Sequence, residues 1–385
     1  MKKNISLLIM LVIIIPIMTG CWDQKGVDKL AIVIGLGIDQ TDKGNIRLTA
    51  QVVKPTSSNE IINTKSKIEL ITSEGTDIQQ AINNFSKITS QIMFFPHVKV
   101  IVFGRKIVIS GINDIVDYVN RNPSFRKTSC VLVTDKKASE ILMTDVMLQE
   151  YPSIGIEGIV AMYDKTSQTV GVKWKDFIKN IDNINIGTLA SKIYIVENKE
   201  EKKKIIEIQG TFIIKKGKLI GELDNKETEA LLWVRSKGKN GSLTLNCPDG
   251  QPGKLGLTNN NVKTKLNKIT YDEKNGQMAM EIQVKVASEI EKMACEKSVN
   301  QKFFNKIESE QASKMKLQIE SMLEKTKMLN TDVIDFLSVY QNKNPRKMKE
   351  IKNNWENTFK KINISVKVES TIKNTGMSLD SKQNY

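Results

Sequence analysis

A single histidine, His97, stands in a chain of 385 residues, and that scarcity removes much chemistry. A Ser/His/Asp or Cys/His hydrolase would have to use this one ring, and zinc sites built on two or three imidazoles cannot form. His97 follows Pro96 at the entry to an apolar run, where a ring donating one backbone hydrogen bond is a common solution, so it reads as a structural or interface residue. Cys21, Cys130, Cys247 and Cys295 form no CxxC pair and have no metal spacing. Gly35-Leu36-Gly37 lacks the third glycine and the following helix of a dinucleotide loop, so these are strand glycines. Asp39-Gln40-Thr41-Asp42 has the flavour of calcium ligands but lacks the third oxygen position and the distant glutamate, which leaves a polar hairpin. Ser124-Phe125-Arg126-Lys127 and Ser313-Lys314-Met315-Lys316 both match the S-x-x-K of penicillin-recognising enzymes, yet S-D-N and K-T-G are absent from the sequence. In so lysine-rich a chain both are chance matches. The residues therefore call for no catalytic, cofactor or metal site.

The strongest local motif lies at the N-terminus. Lys2 and Lys3 precede an apolar stretch from Ile5 to Met18, which as a helix reaches about 21 Å, short of the roughly 30 Å of a hydrocarbon core. It reads as the core of a signal peptide. Met18-Thr19-Gly20-Cys21 then follows the pattern of the bacterial lipobox: a long apolar residue, two small ones that let a peptidase approach, and a cysteine. The Cys21 thiol would take a diacylglyceryl thioether and, after cleavage, its new α-amine an acyl group. Two such signals meet the usual requirement for stable anchoring on a membrane without crossing it. Export also leaves three further cysteines, an odd number, so at least one is unpaired unless it bonds another chain, and no disulfide framework is expected. Cys130, within Cys130-Val131-Leu132-Val133, reads as a buried strand residue.

Lys and Arg number 58 against 43 Asp and Glu, a net charge of +15. Only Arg47, Arg105, Arg121, Arg126, Arg235 and Arg346 carry a guanidinium, the group that base-edge and phosphate readers favour. The charge is thus a dispersed lysine surface, not a nucleic-acid site, and it suits solubility or residence near anionic lipid or polymer.

The elements that must carry these residues alternate between strand and helix. Leu30 to Ile38 is apolar enough for a strand buried on both faces, Asp42-Lys43-Gly44 is a turn, and Ile46, Leu48, Ala50 and Val52 alternate as its hairpin partner. A strand is expected at Lys67–Thr72, a helix at Thr76–Thr89 capped by Ser73 or Thr76, a strand through Val98, Val100 and Val102, and a helix at Asn113–Asn120. A strand at Ser129–Thr134, helices at Lys136–Met143, Ile154–Met162 and Trp174–Ile181, and a strand at Ile193–Val196 follow. The charged run Glu197–Lys204 is the expected domain boundary. Beyond it come short strands at 206–208, 211–214 and 219–220, and a helix to Trp233 capped by Asp224. Asn275-Gly276 signals a hairpin between Val262–Tyr271 and the alternating Met278, Met280, Ile282, Val284 and Val286. A long helix over 296–329, a second over 332–340, a third from Pro345 and a last strand over 362–368 complete the pattern. The class is α+β and multi-domain, with mixed β-sheets flanked by helices and no enzyme-type Rossmann or barrel core. The organisation is a signal peptide at 1–20, a tether at 21–29, an N-terminal α/β domain at 30–196 with room for two subdomains, a C-terminal α+β domain at 205–373, and a polar tail at 374–385.

Taken in order, these residues resemble a family. The lipobox, Cys21-Trp22-Asp23, Ala31 through Asp39, Gln51-Val52-Val53 with Pro55, Ser73-Glu74-Gly75-Thr76 with Ala81, and Phe94-Phe95-Pro96-His97-Val98-Lys99 leading to Gly104 are similar to the C-subunit lipoproteins of spore germinant receptors, the Ger(x)C family. Arg121-Asn122-Pro123 with Ala138, Gly221-Glu222-Leu223, Glu229, Leu231-Leu232-Trp233, Asp332, Pro345, Trp355, Phe359 and Val366-Lys367-Val368 with Gly376 continue the match. Arg105 departs from it, standing where an acidic residue is usual, as do Ser338 in place of a glycine and Asn185-Ile186-Gly187-Thr188 without the usual prolines. The resemblance implies a non-enzymatic subunit, lipid-anchored to the outer face of the inner spore membrane and working with two integral-membrane subunits, A and B. It also implies an indirect relation to the small nutrient, a cofactor-free protein, and a fold of mixed α/β domains. The alternative is an extracytoplasmic solute-binding lipoprotein that holds the nutrient itself, which requires an enclosed cleft with convergent polar groups.

Overall fold

The computed structural model describes residues 29–54, 67–181, 183–198, 200, 202–238, 241–272, 275–295, 300–345 and 348–374. The lipobox, the tether before Lys29 and the tail beyond Asn374 lie outside them.

Nine strands form the first sheet: β1 (Leu30–Gln40), β2 (Ile46–Val53), β3 (Ile68–Gly75), β4 (Ile92–Phe94), β5 (Val100–Gly104), β6 (Cys130–Thr134), β7 (Thr188–Asn198), β8 (Lys203–Lys215) and β9 (Lys218–Leu223). Their order is β3-β2-β1-β5-β6-β7-β8-β9, with β4 beside the start of β1. The central strands β1, β5, β6 and β7 run parallel, while β2–β3 and β8–β9 add antiparallel wings. Both faces of the centre are covered, which explains why β5 and β6 are continuous apolar runs and not alternating ones. On one face pack α1 (Ile78–Asn83), α2 (Arg105–Ser110), α3 (Asn113–Arg121) and, further along the chain, the helix Trp174–Ile181; on the other pack α4 (Ala138–Met143) and α5 (Pro152–Ala161). A single turn, α6 (Tyr163–Thr166), precedes that helix, which is α7. Gly35 and Gly37 are strand glycines for a steric reason: a Cβ at Gly35 would lie 2.0 Å from Ser153 Oγ, and one at Gly37 would lie 3.1 Å from the Ala138 Cβ.

The second sheet holds β10 (Gly241–Asn246), β11 (Lys254–Asp272), β12 (Gln277–Met293) and β13 (Asn363–Asn374), antiparallel except for the β12–β13 pair. Helices α8 (Asn225–Val234), α9 (Gln301–Met328), α10 (Phe336–Lys343), α11 (Met348–Asn353) and α12 (Trp355–Lys361) accompany it. The core between them is built on Trp233, Met315, Ile319, Phe336, Trp355 and Phe359, and it extends to Leu189, Ile213 and Leu223 of the first sheet. The molecule is therefore mixed α+β on two sheets, with no closed barrel among the described residues.

Several expectations change. Glu197–Lys204, read as a linker, lies between β7 and β8, which pair from Thr188↔Ile214 to Asn198↔Lys203, so the strands on both sides of it belong to the first sheet. The helix expected at 76–89 is the shorter α1 followed by a 3-10 turn at Asn84–Lys87, and its cap is Asp77, whose side chain accepts from Gln80 N at 2.8 Å. Ser73 instead lies buried in β3 and donates to the Ala81 carbonyl. The helix expected from 332 begins at Phe336, because Asp335 takes a left-handed conformation (φ 70°) and caps it. Cys247 and Cys295 are joined in a disulfide, 48 residues apart in sequence. β10 and β12 flank β11 and end on the same side, with Asn246 opposite Lys254 and Met293 opposite Leu255, and this non-local pairing brings the thiols together. Cys130 remains a free, buried thiol, in a strand as read.

Candidate functional site

Two polar assemblies and one surface residue carry the chemistry of the described chain. The first assembly is a cleft of about 670 Å3 where β6 ends, beside β7, β8, β9 and the start of α8. Beside it Arg105, at the start of α2, meets two of the lining carboxylates, Asp135, just past β6, at 2.6 Å and Glu222 of β9 at 3.9 Å. Lys192 of β7 meets Asp135 at 3.3 Å and Glu222 at 2.8 Å. Both cations also lie over the Phe212 ring, at 5.6 and 5.1 Å from its centroid. Partial burial works against the Asp135 carboxylate, but the hydrogen bond from Arg105 and the charge of Lys192 outweigh it and hold the carboxyl below its usual range. Burial likewise opposes the Lys192 ammonium, and the hydrogen bond to Glu222 with the charge of Asp135 raises it above its usual value. Four alternating charges thus satisfy one another over an aromatic ring. Beside them Gln209 donates to the Tyr194 hydroxyl and accepts from Asn225, so the wall of the cleft is also tied internally.

The second assembly joins the first sheet to the helical layer of the second half. Gly187 N donates to the Asp332 carbonyl at 2.9 Å, an approach that needs glycine because a Cβ would lie 2.4 Å from Thr331 Cγ2. The Asp332 carboxylate accepts from the backbone N–H of Ile334, Asp335 and Leu337 at 3.1, 2.8 and 3.1 Å. Full burial nevertheless dominates and pushes its carboxyl up to about 6. Lys215 of β8 reaches the Asn330 carbonyl at 2.7 Å and Glu356 of α12 at 2.9 Å. On α8, Glu229 is half-buried, and burial pushes its carboxyl up to about 7 against the opposing charge of Lys314.

His97 lies exposed where the chain turns into β5, with its ring 5.6 Å from that of Phe94. Among the described residues no carboxylate pairs with it. Asp39 is buried, and its carboxylate accepts from the backbone of Ala138 at 2.8 Å and Ser139 at 3.3 Å, capping α4. That use accounts for the acid that had the flavour of a calcium ligand. No group of three or more His, Cys, Asp or Glu suited to a metal occurs among the described residues. Cys21, Met18, Thr19 and Gly20 lie outside them. The ion quartet was not anticipated from the sequence, although Lys192, a cation interrupting the apolar run Leu189-Ala190-Ser191-Lys192-Ile193, was the signal for it.

Comparison with known proteins matches both halves of this architecture. A family model described as the spore germination protein N-terminal domain covers residues 23–194, and one described as spore germination B3/GerAC like, C-terminal, covers 209–376. The chain belongs to the Ger(x)C family of germinant-receptor C subunits. It is similar to spore germination protein B3 of Bacillus subtilis (strain 168), 23% identical over 364 residues that cover 93% of this chain and 94% of the relative. Spore germination protein KC of the same organism is 21% identical over 400 residues, covering 98% and 97%. Among solved structures, the crystal structure of the GerBC protein matches with a TM-score of 0.57 at 19% identity, covering 88% of this chain and 96% of that one. The family places the protein in spore germination. The gap between the two family models falls on the β7–β8 hairpin, so the family's two halves share one sheet in this chain.

Proposed function

We propose that the chain is the lipid-anchored, non-enzymatic C subunit of a nutrient germinant receptor. It sits on the inner spore membrane, faces away from the cytoplasm, and works with the A and B integral-membrane subunits. The observation that carries the reading is the pair of family models, which together run from residue 23 to residue 376, directly behind the lipobox cysteine at 21. No helix among the described residues is long and apolar enough to cross a membrane, so attachment through acylated Cys21 fits the remaining chain. Confinement to the membrane plane raises the effective concentration of partner subunits around the two sheets. The nutrient then acts on this subunit indirectly.

Cys21→Ala is the direct test. The variant is expected to leave the spore membrane fraction and to germinate poorly with nutrients; full membrane retention would sink the anchoring. Detergent extraction of the wild-type chain from spores is expected to bring two integral-membrane proteins with it. Calorimetry of the purified chain against amino acids, sugars and nucleosides is expected to show no saturable heat, and a saturable isotherm would replace this reading by a solute-binding one.

A further inference from the structure

The parallel register of β1, β5 and β6 places one end of the first sheet beside the start of the described chain. Gly35 is level with Val100, and Val100 with Cys130, so Lys29, Lys99 and Lys127 all precede the same edge. β4 joins them there, Leu30 opposite Ile92, and Lys175 follows through its backbone bond to Lys127. This end is cationic and apolar together. Lys29, Lys87, Arg126, Lys127 and Lys175 are exposed, and among the described residues none is in an ion pair. Of the carboxylates nearby, Glu69 is engaged with Lys54, Glu150 with Lys67 and Glu157 with Lys99, while Asp176 is exposed and, among the described residues, outside any ion pair. At the same end Ile88 and Ile92 are 56% and 45% exposed, and the ring of Phe94 in β4 lies 5.6 Å from that of His97.

We propose that this end of the sheet is a second membrane contact, docking flat on an anionic bilayer beside the acyl anchor. Exposed isoleucines and cations outside ion pairs at one end of the sheet match an interface where apolar side chains enter the headgroup layer and cationic groups meet lipid phosphates. The covalent geometry favours the same occupant. Cys21 is eight residues before Lys29, a reach of about 29 Å at most, so an anchored chain cannot hold this end far from the lipid. The inference rests on the anchoring reading for that last step, and on exposed charge and apolar surface for the rest. It gives His97 a place at an interface.

A fluorophore on Ile92→Cys reads the face, because Cys130 is buried and Cys247 is joined to Cys295, leaving one open thiol once Cys21 is acylated. In phosphatidylcholine vesicles containing phosphatidylglycerol, the full chain is expected to show a blue-shifted emission quenched by doxyl lipids. High salt, phosphatidylcholine alone, or the combined Lys87→Glu, Lys127→Glu and Lys175→Glu changes should abolish the shift while the chain still floats with the vesicles. A probe that stays in water on a floating chain overturns the proposal, as does a shift that needs an added membrane protein. The same label on the Cys21→Ser chain separates the two readings. Unchanged flotation of that variant with a salt-insensitive signal counts against docking, whereas absence of a diacylglyceryl group on wild-type Cys21 refutes the anchor alone.

Discussion

The long helix α9 packs on the second sheet through an apolar face and through one buried amide, Gln311, and removing that amide should cost a large part of the stability of that half. Gln311 is fully buried and donates from Nε2 to Asn259 Oδ1 of β11 at 2.8 Å and to Ser288 Oγ of β12 at 2.7 Å. Its Oε1 accepts from Ser370 Oγ of β13 at 2.7 Å. One amide therefore reads the register of three strands. Gln311→Ala removes three hydrogen bonds, about 1 kcal/mol each in net terms, and leaves a hole in a packed core. Asn259 and Ser288 keep their mutual bond at 3.0 Å, which limits the penalty for stranded groups, so we expect a loss of about 3–5 kcal/mol. Against a typical total of about 5–15 kcal/mol this is severe. Urea unfolding followed by the fluorescence of Trp233 and Trp355, both in the same core, should show the midpoint fall by about 1 M or more for a slope near 3 kcal/mol per M. Gln311→Leu restores volume but strands the polar groups, and should recover less than half of the loss. If Gln311→Leu were as stable as the wild type, or Gln311→Ala cost under about 1 kcal/mol, the network would not be what holds α9 to the sheet.

Three further outcomes follow from the same geometry. Replacing Cys247 and Cys295 by serine opens a loop of 48 residues, worth about 4 kcal/mol on the chain-entropy model, and reductant should lower the urea midpoint of the wild type alone. Glu229 binds its proton up to about pH 7 when folded but only to the ordinary glutamate value of 4.5 when unfolded. Its contribution is therefore most favourable below pH 4.5 and is lost as pH rises through 7; Glu229→Gln should stabilise the chain by about 2–3 kcal/mol at pH 8 and flatten the pH dependence of the midpoint between 5 and 8. Asp332→Ala strands three buried backbone N–H groups and should cost about 3–5 kcal/mol, whereas Asp332→Asn keeps one acceptor oxygen and should cost visibly less in the same unfolding assay.

What could be read along the chain is what depends on neighbours in sequence. The strand Met278–Val286 was visible because its side chains alternate with a period of two, and the Asn275-Gly276 turn before it needs positive φ at Gly276, which is observed at 62°. The Asp224 cap was visible for the same reason, and it closes a full capping box with Glu227. Cys130 was placed correctly as a buried strand residue, since burial follows from the local apolar run. The lipobox is a local pattern too, and its spacing alone suggests an anchor.

Tertiary structure decided everything that joins distant residues. Glu197–Lys204 looks like a linker because charge marks solvent, but charge marks a hairpin tip equally well, and only the β7–β8 ladder distinguishes them. The disulfide required β11 to lie between β10 and β12, an arrangement that no spacing of cysteines encodes. The Arg105–Asp135–Lys192–Glu222 quartet and the Gln311 network draw single residues from several elements, so neither leaves a motif. The net charge of +15 is a property of composition, fixed by counting residues. Its gathering of unpaired cations at the tether end of the first sheet is a property of parallel register, because only parallel strands bring successive strand starts to one edge.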